Sequence, residues 1–491
     1  MVCHSGRIGV LVQISAGRST VFRWSQIIVS RIFEMKRLMA CGLAIVSANL
    51  SMTSVGFAET LFSPLTNIQN MSSRVDASGV QRMGSGRLNV EAMQNMFDQS
   101  SGRNSRVHQI PLQMLDGSES MLHLRGQAMD NRDDIQVLGG LVDGQSHNLA
   151  TLVNNNGALS GRIWKDGKLF RIEGDKGGRY QLSEIQKSGI PHRRQYLDAG
   201  DIAGQQMQRR GTQGPPPEPG ESVDLLVYLS KKAVEKLGGR DKAFNRVKLL
   251  VAEANNIFRQ SGILSGPMFR LVGTRVSVLD DHNDPVINIK DWMTFKPYIA
   301  ERDEVGADLV SFITWPENMK YCSTGFRGPE ERNKTGYPEL GYSLTTATCG
   351  YSNLTFAHEL GNNMGAGGER YSDRQKGYSY AYVNLAKRWG TIMASGYDCY
   401  KKYKKFCRNL PVFSTPRLAY KGDPVGVAIG QKLAADNVNW VRRNMAIVAA
   451  YRPRADTNGG GGPTRTKVGG IIVESAGPTT GKTGKERVIK W

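Results

Sequence analysis

Histidine is scarce in this sequence of 491 residues. Seven histidines are present, and none follows His358. Cysteine is also scarce, with six residues, of which Cys3 and Cys41 lie near the start. The low cysteine content excludes a small disulfide-dense scaffold. A metal site built from histidines that follow residue 358 in the sequence is therefore excluded.

Dense runs of basic residues and long apolar runs are also missing. The net charge is +20, but the lysines and arginines are spread along the chain, and there is no zinc-finger or RNP-like motif. We therefore expect no nucleic-acid partner, and no stable membrane anchor, because no segment is long and apolar enough to span a bilayer. A basic surface that binds anionic polymers stays open as a function. The oligomeric state is not indicated.

The N-terminal segment resembles an export signal that starts late. Met35-Lys36-Arg37 is a positively charged start, a mostly apolar stretch follows, and Gly56-Phe57-Ala58 offers small residues for a signal peptidase. We interpret residues 35–58 as a signal peptide and residues 1–34 as an over-extended start. The sequence thus predicts a secreted protein, extracellular or periplasmic.

Four cysteines remain outside that segment, at Cys322, Cys349, Cys399 and Cys407. An even number in an exported chain favours disulfides, and four cysteines allow three pairings. We predict pairing between nearest neighbours, Cys322 with Cys349 and Cys399 with Cys407. A zinc site made from all four cysteines is the alternative, although no CxxC spacing supports it.

Residues 59–210 are polar and rich in turn signals. Short alternating runs predict strands, and the pairs Asp116-Gly117, Asp143-Gly144, Asn156-Gly157 and Asp166-Gly167 predict tight turns between them. This part is predicted to be a β-rich domain without cysteine.

A linker follows the predicted β-rich domain. Residues 211–222 contain three consecutive prolines, which neither a helix interior nor a central strand tolerates. The preceding Arg209-Arg210 pair is either a proteolytic cut site or part of an ordinary linker, and both readings stay open. The tail, residues 454–491, is Gly-rich and predicted to be disordered.

The segment 223–453 alternates strand and helix patterns. Val223–Leu229 predicts a buried strand, and the 3-4 spacing from Phe244 to Phe258 predicts an amphipathic helix. Further strands are predicted at 268–279, 308–315 and 341–348, and a last helix around 438–448. The pattern predicts an α+β domain with a mixed, twisted sheet.

The stretch FAHELGNNMGAGGER, residues 356–370, contains the candidate site. Residues four apart share a helix face, so a His-Glu-x-x-His helix directs two imidazoles at one zinc ion. The intervening glutamate then deprotonates the metal-bound water. His358 and Glu359 fit the first two positions of that pattern.

These residues resemble those of the metzincin (zincin) endopeptidases, and among them the reprolysin-like bacterial enzymes that are made as zymogens. Gly365 matches the turn glycine of that family, and Thr391 to Ser395 resembles its Met-turn with Met393 as the methionine. The resemblance covers most of 223–453. It implies a metzincin-like fold, a bound zinc ion, Glu359 as general base, and a propeptide in residues 59–210.

The departures fall on the zinc ligands. Asn362 occupies the second ligand position and Gly368 the third, while Glu369 follows as a weak substitute ligand. Catalytic zinc sites use three protein ligands. We therefore predict that zinc, expected for the family, is bound weakly or not at all.

The leading hypothesis is a secreted metallopeptidase homologue that is catalytically dead or severely impaired and binds a peptide or protein. One alternative is an active zinc-dependent endopeptidase that uses Glu359. The other is a basic protein that binds anionic surfaces.

Overall fold

The computed structural model describes 60–71, 79–100, 106–127, 136–186, 197, 222–264, 268–318, 321–330, 336–370 and 377–455. The chain divides into two compact units, Met1–Gly56 and Phe57–Trp491, and all described residues belong to the second. The predicted start and signal peptide, nearly all of the linker, and the tail beyond 455 lie outside the described residues.

The first half of the described chain forms one antiparallel sheet of nine strands, here called the N-terminal sheet, with one helix, α1. The strand order is β1-β2-β9-β8-β7-β6-β5-β4-β3. The elements are β1 Thr66–Asn70, β2 Val80–Arg87, α1 Val90–Asp98, β3 His108–Gln113, β4 Glu119–Gln127, β5 Gln136–Val142, β6 Gln145–Asn155, β7 Ala158–Lys165, β8 Lys168–Gly174 and β9 Arg179–Ile185.

The predicted turn pairs lie between consecutive strands of this sheet. Asp143, Asn156 and Asp166 have φ near +50°, and the glycine after each also has positive φ. This conformation matches the twist of a two-residue hairpin, and it favours Asn or Asp followed by Gly. The prediction of a β-rich region with turns at these pairs is confirmed.

The C-terminal region, residues 222–455, contains a five-stranded sheet with the order β11-β10-β12-β14-β13. Strands β10, β11, β12 and β14 are parallel, and β13 pairs antiparallel with β14 at the edge. Their bounds are β10 Val223–Leu229, β11 Phe269–Val276, β12 Leu309–Thr314, β13 Ser323–Gly325 and β14 Tyr342–Thr346.

Helices cover this sheet. Their bounds are α2 Lys231–Lys236, α3 Arg240–Gln260, α4 Pro285–Thr294, α5 Lys296–Glu304, α6 Ala347–Ser352, α7 Thr355–Asn363, α8 Tyr397–Tyr403 and α9 Asn437–Val448. Alternate residues of β10 face opposite cores. Leu225 and Val227 pack with α3 and α7, whereas Leu226 and Tyr228 pack with α4. Burial on both faces explains why β10 is apolar at every position except Asp224.

A 3₁₀ turn at Pro338–Leu340 precedes β14. The described part of the chain after α7 contains five short strands. The short strands are β15 Val383–Asn384, β16 Trp389–Gly390, β17 Arg408–Asn409, β18 Ala419–Tyr420 and β19 Asp423–Pro424.

The structure confirms a mixed α/β architecture with a mixed sheet in the second half and a large sheet in the first. It joins Cys322 to Cys349 and Cys399 to Cys407, the predicted nearest-neighbour pairing. Within the described ranges, no helix is long and apolar enough to cross a membrane.

Candidate functional site

Helix α7 carries the candidate site and is buried all around. All nine of its residues, Thr355–Asn363, are buried, and its N-cap residue makes no side-chain capping hydrogen bond. Packing therefore holds this short helix, rather than capping or intrinsic propensity. The chain leaves the helix through Gly365, which has φ +80° and lies so close to Pro329 that a β-carbon would come within 2.1 Å of its carbonyl oxygen. A glycine is required at this turn.

His358 is oriented by the segment that contains Met393. Its side chain is 7% exposed, and Nδ1 lies 2.9 Å from the carbonyl oxygen of Ile392. A carbonyl oxygen only accepts, so Nδ1 donates, and in the neutral ring Nε2 carries the lone pair. This is the arrangement in which a histidine side chain serves as a metal ligand.

Glu359 is held between its own helix and strand β13. Ser323 Oγ donates to Oε1 at 2.5 Å, and Asn362 Nδ2 donates to Oε2 at 3.0 Å. Gly325 on the same strand lies so near that a β-carbon there would be 2.6 Å from Oε2. The carboxylate of the candidate general base is thus buried, doubly hydrogen-bonded and packed against an edge strand.

Asn362 lies one turn after His358 on the same helix face. It is 7% exposed, and its amide nitrogen is the donor to Glu359. In this position the residue acts as a hydrogen-bond partner of the glutamate.

Gly368 supplies no side chain at the third position, but there is room for one. Among the described residues, a β-carbon there would have one neighbour within 4 Å, the carbonyl oxygen of Met393 at 3.8 Å. The backbone around it is fixed by Ala381, whose N–H donates to the carbonyl of Gly368 at 2.8 Å, and by Asn437, which bonds both N–H and carbonyl of Gly367.

Glu369 is fully committed to the segment after Met393. Its carboxylate accepts hydrogen bonds from Ser395 Oγ at 3.0 Å, from the N–H of Gly396 at 2.8 Å and from the N–H of Asp398 at 3.2 Å. Burial, followed by the neighbouring carboxylate of Asp398, raises the pKa of Glu369 to about 7. The side chain therefore clamps the start of α8, and three donors compete with any metal for its oxygens.

Met393 lies beneath the helix. It is fully buried, and a β-carbon at Gly361 would come within 2.6 Å of its Sδ atom. The glycine on α7 and the methionine below it thus fit against each other at van der Waals distance.

The residues present do not form a three-ligand metal site. His358 has the orientation of a ligand, but Asn362 bonds to Glu359, Gly368 has no donor atom, and Glu369 bonds to the α8 segment. Across the described residues, no group of three or more His, Cys, Asp or Glu side chains is placed to hold a metal ion.

A basic loop stands next to this site. Helix α8 begins two residues before Cys399, and its later part lies inside the loop closed by Cys399 and Cys407 and presents Lys401 and Lys402 as exposed cations. Tyr400 and Phe406 are 45% and 48% exposed and stack with ring centroids 5.2 Å apart. The clamp from Glu369 fixes this loop relative to the α7 segment.

Two features of the site were missed by the sequence analysis. Ser323, the partner of Glu359, precedes it by 36 residues. Leu197 forms a parallel bridge with Phe326 beside β13, donating its N–H to Gly325 at 2.8 Å and accepting from the N–H of Arg327 at 3.3 Å. Neither residue belongs to a motif, so no sequence signal identified them.

Comparison with known sequences gives relatives named as peptidyl-Asp metalloendopeptidases. No family model matches the chain. A peptidyl-Asp metalloendopeptidase of Stenotrophomonas maltophilia strain R551-3 is 27% identical over 318 residues, which cover 62% of this chain and 71% of the relative. The chain resembles metallopeptidases.

A second relative, the peptidyl-Asp metalloendopeptidase of Pseudomonas aeruginosa, is 26% identical over 283 residues, covering 53% of this chain and 43% of the relative. Among solved structures, metalloproteinase-II from Bacteroides fragilis aligns with a TM-score of 0.37 and 12% identity, over 57% of this chain and 86% of that chain.

Proposed function

We propose that the protein is a secreted metallopeptidase homologue with a metzincin-like C-terminal region that binds peptides and does not hydrolyse them. One observation carries the proposal: the second ligand position, Asn362, bonds to Glu359, and the third, Gly368, has no side chain. The relatives' function supports the peptide-binding part, since they are endopeptidases by name.

The loss of hydrolysis follows from the chemistry of the site. Zinc in a catalytic site needs about three protein ligands, and a bound zinc lowers the pKa of its water to about 7. His358 supplies one such ligand. When no metal polarises the water, a carboxylate such as Glu359 has no nucleophile that it can deprotonate efficiently near neutral pH.

The peptide proposed here is one that contains aspartate. The relatives are named for action on peptidyl-Asp. In this chain, Glu369 fixes the lysine-rich α8 beside the α7 segment. A basic wall attracts an acidic side chain, and the attraction weakens as salt is added.

Zinc stoichiometry tests the first part. Purified protein is dialysed against trace zinc and its metal content is measured by elemental analysis, with Glu235→Gln, an exposed change on α2, as control. We expect far less than one zinc per chain. About one tightly held zinc per chain, lost on His358→Ala, would overturn the proposal and favour the active endopeptidase.

Restoration of the ligands tests the same site in the other direction. We expect Asn362→His with Gly368→His to bring zinc content close to one per chain, because the space at Gly368 admits a side chain. Peptide hydrolysis should then appear, and Glu359→Gln should remove it. If the restored protein folds but gains no zinc, the lost ligands are not what disables the site.

A further inference from the structure

We propose that the N-terminal sheet stays bound to the C-terminal region after the linker at 211–222 is cut. The partner of the surface formed by α3 is this chain's own N-terminal fragment, held without a covalent bond. The inference does not depend on whether the site binds zinc or peptide.

The apolar part of this interface is a shared core. Leu149, Trp164 and Leu169 of the N-terminal sheet belong to the same buried cluster as the α3 residues Val247 and Leu250. A second buried cluster joins Val137 and Val153 of the sheet to Leu249 and Ala252 of α3. Surfaces that share a continuous core expose apolar area to water when they separate, which opposes dissociation.

A buried ion pair crosses the same interface. Arg162 on β7 is 3% exposed, and its Nε donates to Glu253 on α3 at 2.7 Å. Trp164 Nε1 donates to the same carboxylate oxygen at 2.6 Å, and the remaining guanidinium nitrogens donate to the carbonyls of Tyr351 and Asn353.

Separation of the two halves would replace these direct hydrogen bonds by bonds to water. Glu253 accepts hydrogen bonds from both Arg162 and Trp164, so its buried carboxylate is satisfied while the two halves are in contact. Removing one partner of a buried ion pair while the other stays buried is strongly destabilising, so the pair requires that these two surfaces match. The shared apolar core is expected to hold the two halves together when the covalent connection is lost.

Asn256 adds a second polar anchor one turn along α3. It is fully buried, and its Nδ2 donates to the carbonyls of Ala150 at 3.0 Å and Gly140 at 3.2 Å. Helix α3 passes so close to Gly139 that a β-carbon there would lie 3.2 Å from Asn256. Hydrogen bonds from a buried side chain of α3 to the backbone of the sheet therefore fix the position of the helix on the sheet.

The position of Leu197 extends the consequence to the site. Leu197 is fully buried beside the edge strand β13 and precedes both Arg209-Arg210 and the linker in sequence. A cut after Arg210 leaves Leu197 on the N-terminal fragment. A fragment that stays bound keeps this residue beside the strand that packs on Glu359.

The test cuts the folded chain. A cleavage sequence for a specific protease replaces part of 211–221 in the full chain, the protein is cut, and size-exclusion chromatography with light scattering is run at decreasing concentration. We expect both fragments in one peak with the mass of the uncut chain. Separate elution of the wild-type fragments after native cutting would overturn the proposal.

Matched variants assign the effect to the buried pair. Arg162→Ala should release the N-terminal fragment after cutting at least about tenfold faster, because a buried pair is broken. Arg179→Ala, on the same sheet with its side chain 82% exposed and paired to Asp175, should behave as wild type. Asn256→Ala serves where Arg162→Ala does not fold. Equal release from the buried and exposed variants would contradict the role of this interface.

Discussion

At the scale of single residues, the two glutamates of the candidate site are bound by groups of the protein itself. Glu359 accepts hydrogen bonds from Ser323 and Asn362, and Glu369 accepts three from the segment that begins α8. Both carboxylates are thus satisfied by groups of the protein itself. Satisfied buried networks hold one arrangement firmly, so this site is expected to be rigid.

Glu369 should make stability depend on pH in a defined window. Its pKa is raised to about 7 in the folded protein from the ordinary 4.5. The folded state therefore binds the proton more tightly, and the resulting stability is fully present below about pH 4.5 and is lost as pH rises towards 7. The shift corresponds to roughly 3 kcal/mol, at order-of-magnitude level.

Glu369→Gln tests this dependence, since the amide cannot ionise. We expect the fall in unfolding free energy between pH 4.5 and 7 to become shallower in urea titrations at several pH values. Glu235→Gln changes an exposed glutamate on α2 and should leave the slope as in wild type. An unchanged slope in Glu369→Gln would show that this carboxyl is not the group that titrates.

At the scale of elements, α7 depends on the fit between Gly361 and the methionine below it. The helix is short, buried and uncapped, so contacts of this kind supply most of its stability. Met393 Sδ and the ring of Phe413 leave room for a hydrogen atom at Gly361 but not for a methyl group.

Gly361→Ala should therefore destabilise the protein by about 1–3 kcal/mol through overpacking, despite alanine's better helix propensity. Adding Met393→Ala should cost less in that background than in wild type, with a coupling of about 1 kcal/mol. Urea unfolding of the double-mutant cycle measures this. As a control, Gly350→Ala on α6 should cost less, because the nearest neighbour of the added methyl group is Thr345 Cγ2 at 3.1 Å. Strictly additive changes in unfolding free energy for Gly361→Ala and Met393→Ala would refute the contact between these two residues.

Local patterns predicted the elements well. The strand predicted at Val223–Leu229 has those bounds, and the hairpin turns at Asp143 and Asn156 follow the Asx-Gly pairs. Burial on two faces selects apolar residues within the strand, and a positive φ selects Asn, Asp or Gly within the turn. Both preferences act on a few consecutive residues and can therefore be read from the sequence. The bond from Ser323 to Glu359 and the bridge at Leu197 join distant segments, and such contacts leave no periodicity to read.

At the scale of the whole molecule, the N-terminal sheet and the C-terminal region share one buried cluster through α3. The sequence predicted two regions and a linker between them, but not this packing. Arg162 and Glu253 are 91 residues apart, and single buried charges read in sequence as ordinary surface residues. The role of residues 59–210 as a propeptide stays a prediction.

The shared core predicts that the two halves unfold together. We expect far-ultraviolet circular dichroism and tryptophan fluorescence to give coincident urea transitions in the uncut chain. The reason is that residues of both halves form one buried cluster around α3. Arg162→Ala should separate the two curves, and Arg179→Ala should not. Two resolved transitions in the wild type would mean that the halves are independently stable.

The ion pair at α3 also constrains how this gene can change. A substitution of Arg162 leaves the buried carboxylate of Glu253 with Trp164 as its remaining donor among the described contacts. We therefore expect the fitness cost of a substitution at one of these positions to depend on the residue at the other. Descendants that replace Glu253 by an apolar residue are expected to have replaced Arg162 as well.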